Sequence, residues 1–125
     1  MTERQVKRFV VKTVKQLAKV FGLNFYEIKI RYRYEKDAKG SCLTMTEYEE
    51  AAVNINLEEA KTLGELRKTV LHEMVHIVGW DLYHVGWDLA KTMDDKRFAK
   101  NRVTKENERV TTAWTRILEP LIFDE

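Results

Sequence analysis

The chain has 125 residues, of which 44% are apolar and 34% charged, a mixture typical of a soluble globular protein rather than a disordered one. Its length predicts a single domain over residues 1–125, with no room for a second. It has no apolar run of about 20 residues for a membrane helix, no secretory leader and a single cysteine, Cys42, so a reducing, cytoplasmic location is expected.

The first predicted element is an amphipathic helix over Thr2–Phe21. Val6, Val10, Val14 and Leu17 recur at three- and four-residue spacing, and Gly22 stands where a left-handed helix cap belongs. Residues 1–34 carry nine Lys or Arg and two Glu, a net charge of +7. This basic N-terminal block fits either a solvated helix and strand face or a surface for a polyanion such as nucleic acid, or for an acidic partner.

Three short strands are predicted next. From Phe25 to Tyr34 apolar and charged residues alternate, which indicates a half-buried strand. Asp37–Gly40 reads as a turn, Ser41–Tyr48 as a second strand, and Ala52–Leu57 as a third strand. We expect a meander-like arrangement in which the third strand lies at the edge of the active-site cleft and binds an extended peptide by strand addition.

Two capped helices are predicted in the rest of the chain. Thr62 and Glu65 match a capping box, which starts a helix that runs to about Gly79. A second capped start at Thr104 precedes a C-terminal helix that ends near Pro120. Its apolar stripe is predicted to pack inward and consists of Val110, Ala113, Trp114, Ile117 and Leu121. Between these helices only a short helix at Trp87–Met93 is indicated.

All three histidines fall between positions 72 and 84, and two of them form the motif His72-Glu73-Met74-Val75-His76 inside the first capped helix. Residues four apart lie on the same helix face, so both imidazoles can reach one metal ion. Glu73 is rotated by about 100° from His72 and can act as general base on a water at the open metal position. By composition, about 0.008 such motifs are expected by chance.

A zinc site of this kind needs a third protein ligand. Glu106, Glu108 and His84 are the candidates. The helical angle of Glu106 matches that of the predicted inward stripe, so simple geometry favours Glu106 and turns Glu108 elsewhere. Both glutamates also fit a role as negative charges near a helix start.

The motif, placed after an N-terminal helix and a small sheet, resembles the minimal zincin metallopeptidase domain over roughly Glu50–Phe123. It is most similar to the small HExxH proteins of bacteriophage genomes, in which a C-terminal helix supplies a glutamate just upstream of a valine, as in Glu108-Arg109-Val110 here. The resemblance implies an α+β fold with an N-terminal helix, a mixed or antiparallel sheet of about three strands, an active-site helix and a C-terminal helix. It also implies Glu108 as the third ligand and, for a phage-encoded chain, the host cytoplasm.

Two other families share part of the pattern. SprT-like proteases, which act on DNA–protein crosslinks, have a similar helix and a third histidine farther along, for which His84 is the counterpart. Metzincins and a family of metal-dependent ribonucleases share the spacing up to Gly79 but require a histidine where this chain has Leu82. The ribonucleases also have glycine in place of Glu73, and both departures argue against this second group.

These observations lead to one main hypothesis and two alternatives. The main hypothesis is a zinc-dependent hydrolase of peptide or protein substrates, with His72, His76 and Glu108 as Zn²⁺ ligands and Glu73 as the catalytic base. The first alternative is an SprT-like, DNA-associated protease with His84 as third ligand. The second is a non-enzymatic protein that binds nucleic acid or a protein partner through the basic N-terminal block.

Overall fold

Four helices and a three-stranded sheet make up the described part of the chain. The structure is a computed structural model and describes residues 2–33, 40–45, 49–57 and 62–123. The order of elements is α1 (Glu3–Val20), β1 (Glu27–Arg33), β2 (Gly40–Met45), β3 (Glu50–Asn56), α2 (Leu63–Val78), α3 (Trp80–Ala90) and α4 (Lys96–Ile122). The predicted α+β class is confirmed. The predicted turn at Asp37–Gly40 falls largely outside the described residues.

Helix α1 forms where the amphipathic pattern predicts it. Thr2 caps its N-terminus: its hydroxyl accepts a hydrogen bond from the amide of Gln5, whose side chain accepts one from the amide of Thr2. Val10 and Leu17 are fully buried on the inward face. Gly22 has φ +69°, the left-handed conformation in which a residue with a Cβ is strained. The chain therefore leaves the helix at this glycine and turns toward β1.

The order of strands in the sheet is β1-β3-β2, with β3 in the centre. β3 pairs in parallel with β1, where Val53 lies opposite Ile30, and antiparallel with β2, where Val53 lies opposite Cys42. The predicted meander and the predicted edge position of the third strand are therefore wrong. β3 carries a nearly continuous run of buried residues, which suits a central strand, whereas the exposed charges that alternate along β1 suit an edge.

The core lies between the sheet and helices α1 and α2. Val53 and Ile55 of β3 are fully buried against residues of α2 such as Val70 and Met74. α2 also packs on α1, on β2 and on α4. The helix that carries the two motif histidines is thus held on several sides, which fixes the direction of its side chains.

The boundaries of the last two helices differ from the predicted ones. α3 begins at Trp80, directly after Gly79, and ends at Ala90, so the predicted Trp87–Met93 helix is displaced. α4 begins at Lys96 because the carboxylate of Asp95 accepts a hydrogen bond from the amide of Phe98 at 3.1 Å. Thr104, predicted to be a cap, lies within a helix of 27 residues.

The inward face of α4 is also different from the predicted one. The apolar stripe from Val110 to Leu121 is mostly exposed, with Trp114 at 51% and Leu121 at 74%. Thr111 and Thr115 are buried instead. No helix in the described ranges has the length and apolar character needed to cross a membrane.

Candidate metal centre

Helix α2 presents His72 and His76 one turn apart on the side that faces α4. Their rings meet edge to face, with centroids 4.8 Å apart. Thr62 caps this helix by accepting a hydrogen bond from the amide of Glu65, as the sequence predicts. The cap and the buried apolar positions of α2 fix the rotation of the helix, so both imidazoles point the same way.

Glu108 of α4 lies against both histidines. Its Oε2 atom is 3.2 Å from Nε2 of His72, and its Oε1 atom is 2.8 Å from Nε2 of His76. Glu108 precedes the buried Thr111 and Thr115 by three and seven residues, so all three lie on the inward face of the helix. The geometric argument for Glu106 is therefore wrong, because it took the exposed apolar stripe of α4 for its inward face.

The other two candidate ligands lie elsewhere. Glu106 accepts a hydrogen bond from Arg109 at 2.8 Å, which, with the charge of that guanidinium, lowers the pKa of the glutamate. His84 is exposed on α3, with its ring 4.7 Å from that of Trp80. The structure thus brings together His72, His76 and Glu108 and leaves Glu106 and His84 outside this group.

Glu73 is buried beside the two histidines. It is 4% exposed, and its Oε2 atom has no hydrogen-bond partner in the described part of the chain. Burial, and then the negative charge of Glu108, raise the pKa of Glu73 to about 8. Ligand atoms of His72, Glu73 and His76 all lie within 4.8 Å of one another, so the group is compatible with a metal ion.

Two residues of α4 that the sequence did not point to hold the far side of the His76 ring. The hydroxyl of Thr111 and the side-chain amide of Asn107 each lie 3.3 Å from Nδ1 of His76. The Thr111 hydroxyl can accept a hydrogen bond from Nδ1–H, the tautomer in which Nε2 is free to bind a metal, whereas Nδ2 of Asn107 can only donate and fits the tautomer in which Nε2–H faces Glu108. Burial lowers the pKa of His76, which also favours the neutral ring. Only their helical spacing from Glu108 could have indicated these residues.

The group opens into a cleft of about 510 Å³ between α2 and α4. Its lining is mostly polar and includes Lys68, Thr69 and Thr112. Cys42 of β2 lies near the group: burial, and then the charges of Glu73 and Glu108, raise the pKa of its thiol to about 12. The strand beside the site is therefore β2 and not, as predicted, β3.

A tyrosine hydroxyl close to the metal could stabilise an oxyanion. Tyr83 lies on α3, where its hydroxyl is 3.2 Å from that of Thr104. Tyr48 lies outside the described residues.

Comparison of the chain with protein-family models, with curated proteins and with solved structures finds no significant match. The fold and the group of histidines and glutamates therefore stand on the sequence and the geometry alone.

Proposed function

We propose that the chain is a zinc-dependent peptide hydrolase in which His72, His76 and Glu108 hold the metal and Glu73 is the general base. One observation carries this proposal. A carboxylate from α4 reaches the Nε2 atoms of both histidines of α2, at 3.2 and 2.8 Å. The sequence motif alone provides two ligands, and the packing of α4 supplies a third.

The donor set suits zinc. Two imidazole nitrogens and one carboxylate are a known ligand set of catalytic zinc sites, which keep a further position open. Bonds of about 2.0–2.1 Å in a tetrahedron separate neighbouring ligand atoms by about 3.3 Å, close to the 3.2 Å between Nε2 of His72 and Oε2 of Glu108. The 2.8 Å between Nε2 of His76 and Oε1 of Glu108 is shorter than this separation, so the carboxylate would move away from His76 to admit the ion.

The position of Glu73 beside the two histidines supports its role as general base. Zinc bound here supplies Lewis acidity, which activates a water molecule and polarises a carbonyl group. The unpartnered Oε2 of Glu73 takes the proton of the attacking water and then delivers it to the amine that leaves. In the metal-free chain burial, and then the charge of Glu108, favour the protonated form of Glu73; a bound Zn²⁺ would favour the ionised carboxylate that accepts the proton.

A peptide is the substrate that the surroundings favour. β2 pairs with β3 on one side, and among the described residues its other edge has no strand partner. An exposed strand edge binds an extended peptide through main-chain hydrogen bonds. Since Cys42 of β2 lies close to Glu73, a peptide on that edge would pass the catalytic group. The SprT-like alternative gains no support, because His84 is not at the site.

The test combines metal content with peptide hydrolysis. The purified chain is expected to bind about one equivalent of zinc and to cleave a fluorogenic peptide library. Glu108→Ala should weaken zinc binding by more than about 100-fold. Removal of a residue that only hydrogen-bonds to a ligand weakens metal binding by at most about 100-fold, so a larger loss identifies Glu108 as a ligand. Glu106→Ala, two residues away on the same helix, is the matched control and should bind zinc normally.

Glu73→Gln separates catalysis from metal binding. This variant should keep its zinc and lose hydrolysis, because the amide cannot accept the proton of water. Full activity in Glu73→Gln would overturn the mechanism. Equal zinc affinity in Glu108→Ala and in the native chain would overturn the ligand set.

A further inference from the structure

A row of five basic side chains runs along the outer face of α1. We call it the cationic ladder; its members are Arg4, Arg8, Lys12, Lys15 and Lys19. At 100° per residue they fall within an arc of about 80°, opposite the buried face of the helix, and span about 22 Å along its axis. All five are exposed.

The charges of the cationic ladder are not neutralised within the described ranges of the chain. An ion pair on α1 joins Lys7 to Glu3 at 3.0 Å, and neither residue belongs to the ladder. No member of the ladder forms an ion pair with a described residue. Five positive charges in a row repel one another, so an anionic partner stabilises this arrangement.

From this geometry we infer that the cationic ladder binds the phosphate backbone of nucleic acid. A duplex carries one negative charge per about 1.7 Å of its axis, both strands counted, so several phosphates lie within reach of a row of cations about 22 Å long. Contacts of this kind read the backbone and not the bases. The inference goes beyond the proposed hydrolase and does not depend on its metal site.

The packing of α1 argues against two other kinds of anionic partner, an acidic protein surface and a membrane surface. Hot spots of protein interfaces are enriched in Trp, Tyr and Arg, but α1 offers no aromatic residue on its outer face, since Phe9 and the C-cap residue Phe21 pack against the core. A membrane-surface helix must insert its apolar face, but Val10, Val14 and Leu17 are buried under α1. The outer face of α1 is mainly charged, with Val11, 37% exposed, beside the ladder.

The salt dependence of binding is the first measurement. Fluorescence anisotropy of the full chain with a labelled 20-base-pair duplex and with a 20-nucleotide single strand should give steep slopes of log K against log salt. Five phosphate contacts predict slopes of about −4.5 for the duplex and about −3.5 for the single strand. A slope shallower than about −1 for both would overturn the inference.

A charge-matched pair of variants locates the surface. In the ladder variant, Arg8, Lys12 and Lys15 are replaced by Gln, which has a similar helix propensity. The slope should become shallower by about 2 to 3, with affinity at 0.1 M salt lower by about 100-fold or more. The control carries the same change in net charge on exposed positions of α4 and consists of Arg97→Gln, Lys105→Gln and Arg116→Gln. It should keep the native slope.

Three further results would contradict the inference. They are equal losses in the ladder variant and in the control, tighter binding to polyglutamate than to either nucleic acid, or tighter binding to vesicles with anionic headgroups. Circular dichroism checks that both variants are folded. If the ladder variant does not fold, the single substitution Lys12→Gln replaces it, and an unchanged slope in that variant refutes the ladder, since the loss of one contact shifts the slope by about 1.

Discussion

The burial of Glu73 makes the stability of the metal-free protein depend on pH in a direction that can be measured. A raised pKa means that the folded state holds a proton that the unfolded state releases. Between the ordinary pKa of 4.5 and the folded value of about 8, each pH unit therefore lowers the free energy of unfolding by about 1.4 kcal/mol. Summed over this interval, the loss is on the order of 5 kcal/mol.

Glu73→Gln removes this dependence because the amide does not titrate. In the presence of a chelator, urea unfolding at pH 5 to 9 should show a native chain that loses stability as the pH rises through 8. Glu73→Gln should be clearly more stable than the native chain at pH 8.5, and the difference should shrink toward zero near pH 4.5, where Glu73 is protonated in both states.

The control for this experiment has the opposite sign. Arg109 lowers the pKa of Glu106, so the contribution of that carboxylate is present at neutral pH and is lost as the pH falls below its ordinary range. In Glu106→Gln the native chain should therefore be slightly more stable than the variant, by a difference that stays constant from pH 5 to 9 and disappears only at acid pH. Parallel stability curves for Glu73→Gln and the native chain from pH 5 to 9 would refute the reasoning about Glu73.

Three further predictions follow from single contacts. Thr111→Val should weaken zinc binding by about 10- to 100-fold in a chelator competition because His76 loses its support, whereas Thr115→Val, whose hydroxyl bonds only the backbone of Thr111, should not. Asp95→Ala should lower the free energy of unfolding by about 1 kcal/mol through loss of the α4 cap; an equal effect of Asp94→Ala would contradict the assignment of the cap. Gly22→Ala should lower the free energy of unfolding by about 1 kcal/mol, since alanine is strained at φ +69°, and an unchanged urea midpoint would argue against that strain.

Local patterns predicted α1 and α2 well because their caps and apolar faces agree. Thr62 caps α2 at the predicted position, Thr2 caps α1 one residue before the helix although the prediction placed it inside, and the spacing of Val10, Val14 and Leu17 matches their burial. The order of the strands was not predictable in the same way. Parallel pairing of β1 with β3 is a long-range contact, and no local pattern distinguishes it from a meander.

The errors on α4 have a different origin. Its apolar residues indicated one face, but the tertiary structure buries the face of Thr111 and Thr115 and leaves Trp114 half exposed. Tertiary packing therefore overrode amphipathicity in this helix. The sequence motif identified His72, His76 and Glu73 as candidates, whereas the position of Glu108 depended on which face of α4 turns inward.

The contact between His72 and Glu108 joins residues that are 36 positions apart in the chain. During synthesis both imidazoles of α2 leave the ribosome before the carboxylate that bridges them exists. Two imidazoles alone hold zinc weakly, so in the proposed enzyme the metal becomes tightly held only after α4 has packed on α2. Acquisition of the metal and completion of the fold would then be a single event, and a nascent chain that ends before α4 would be inactive.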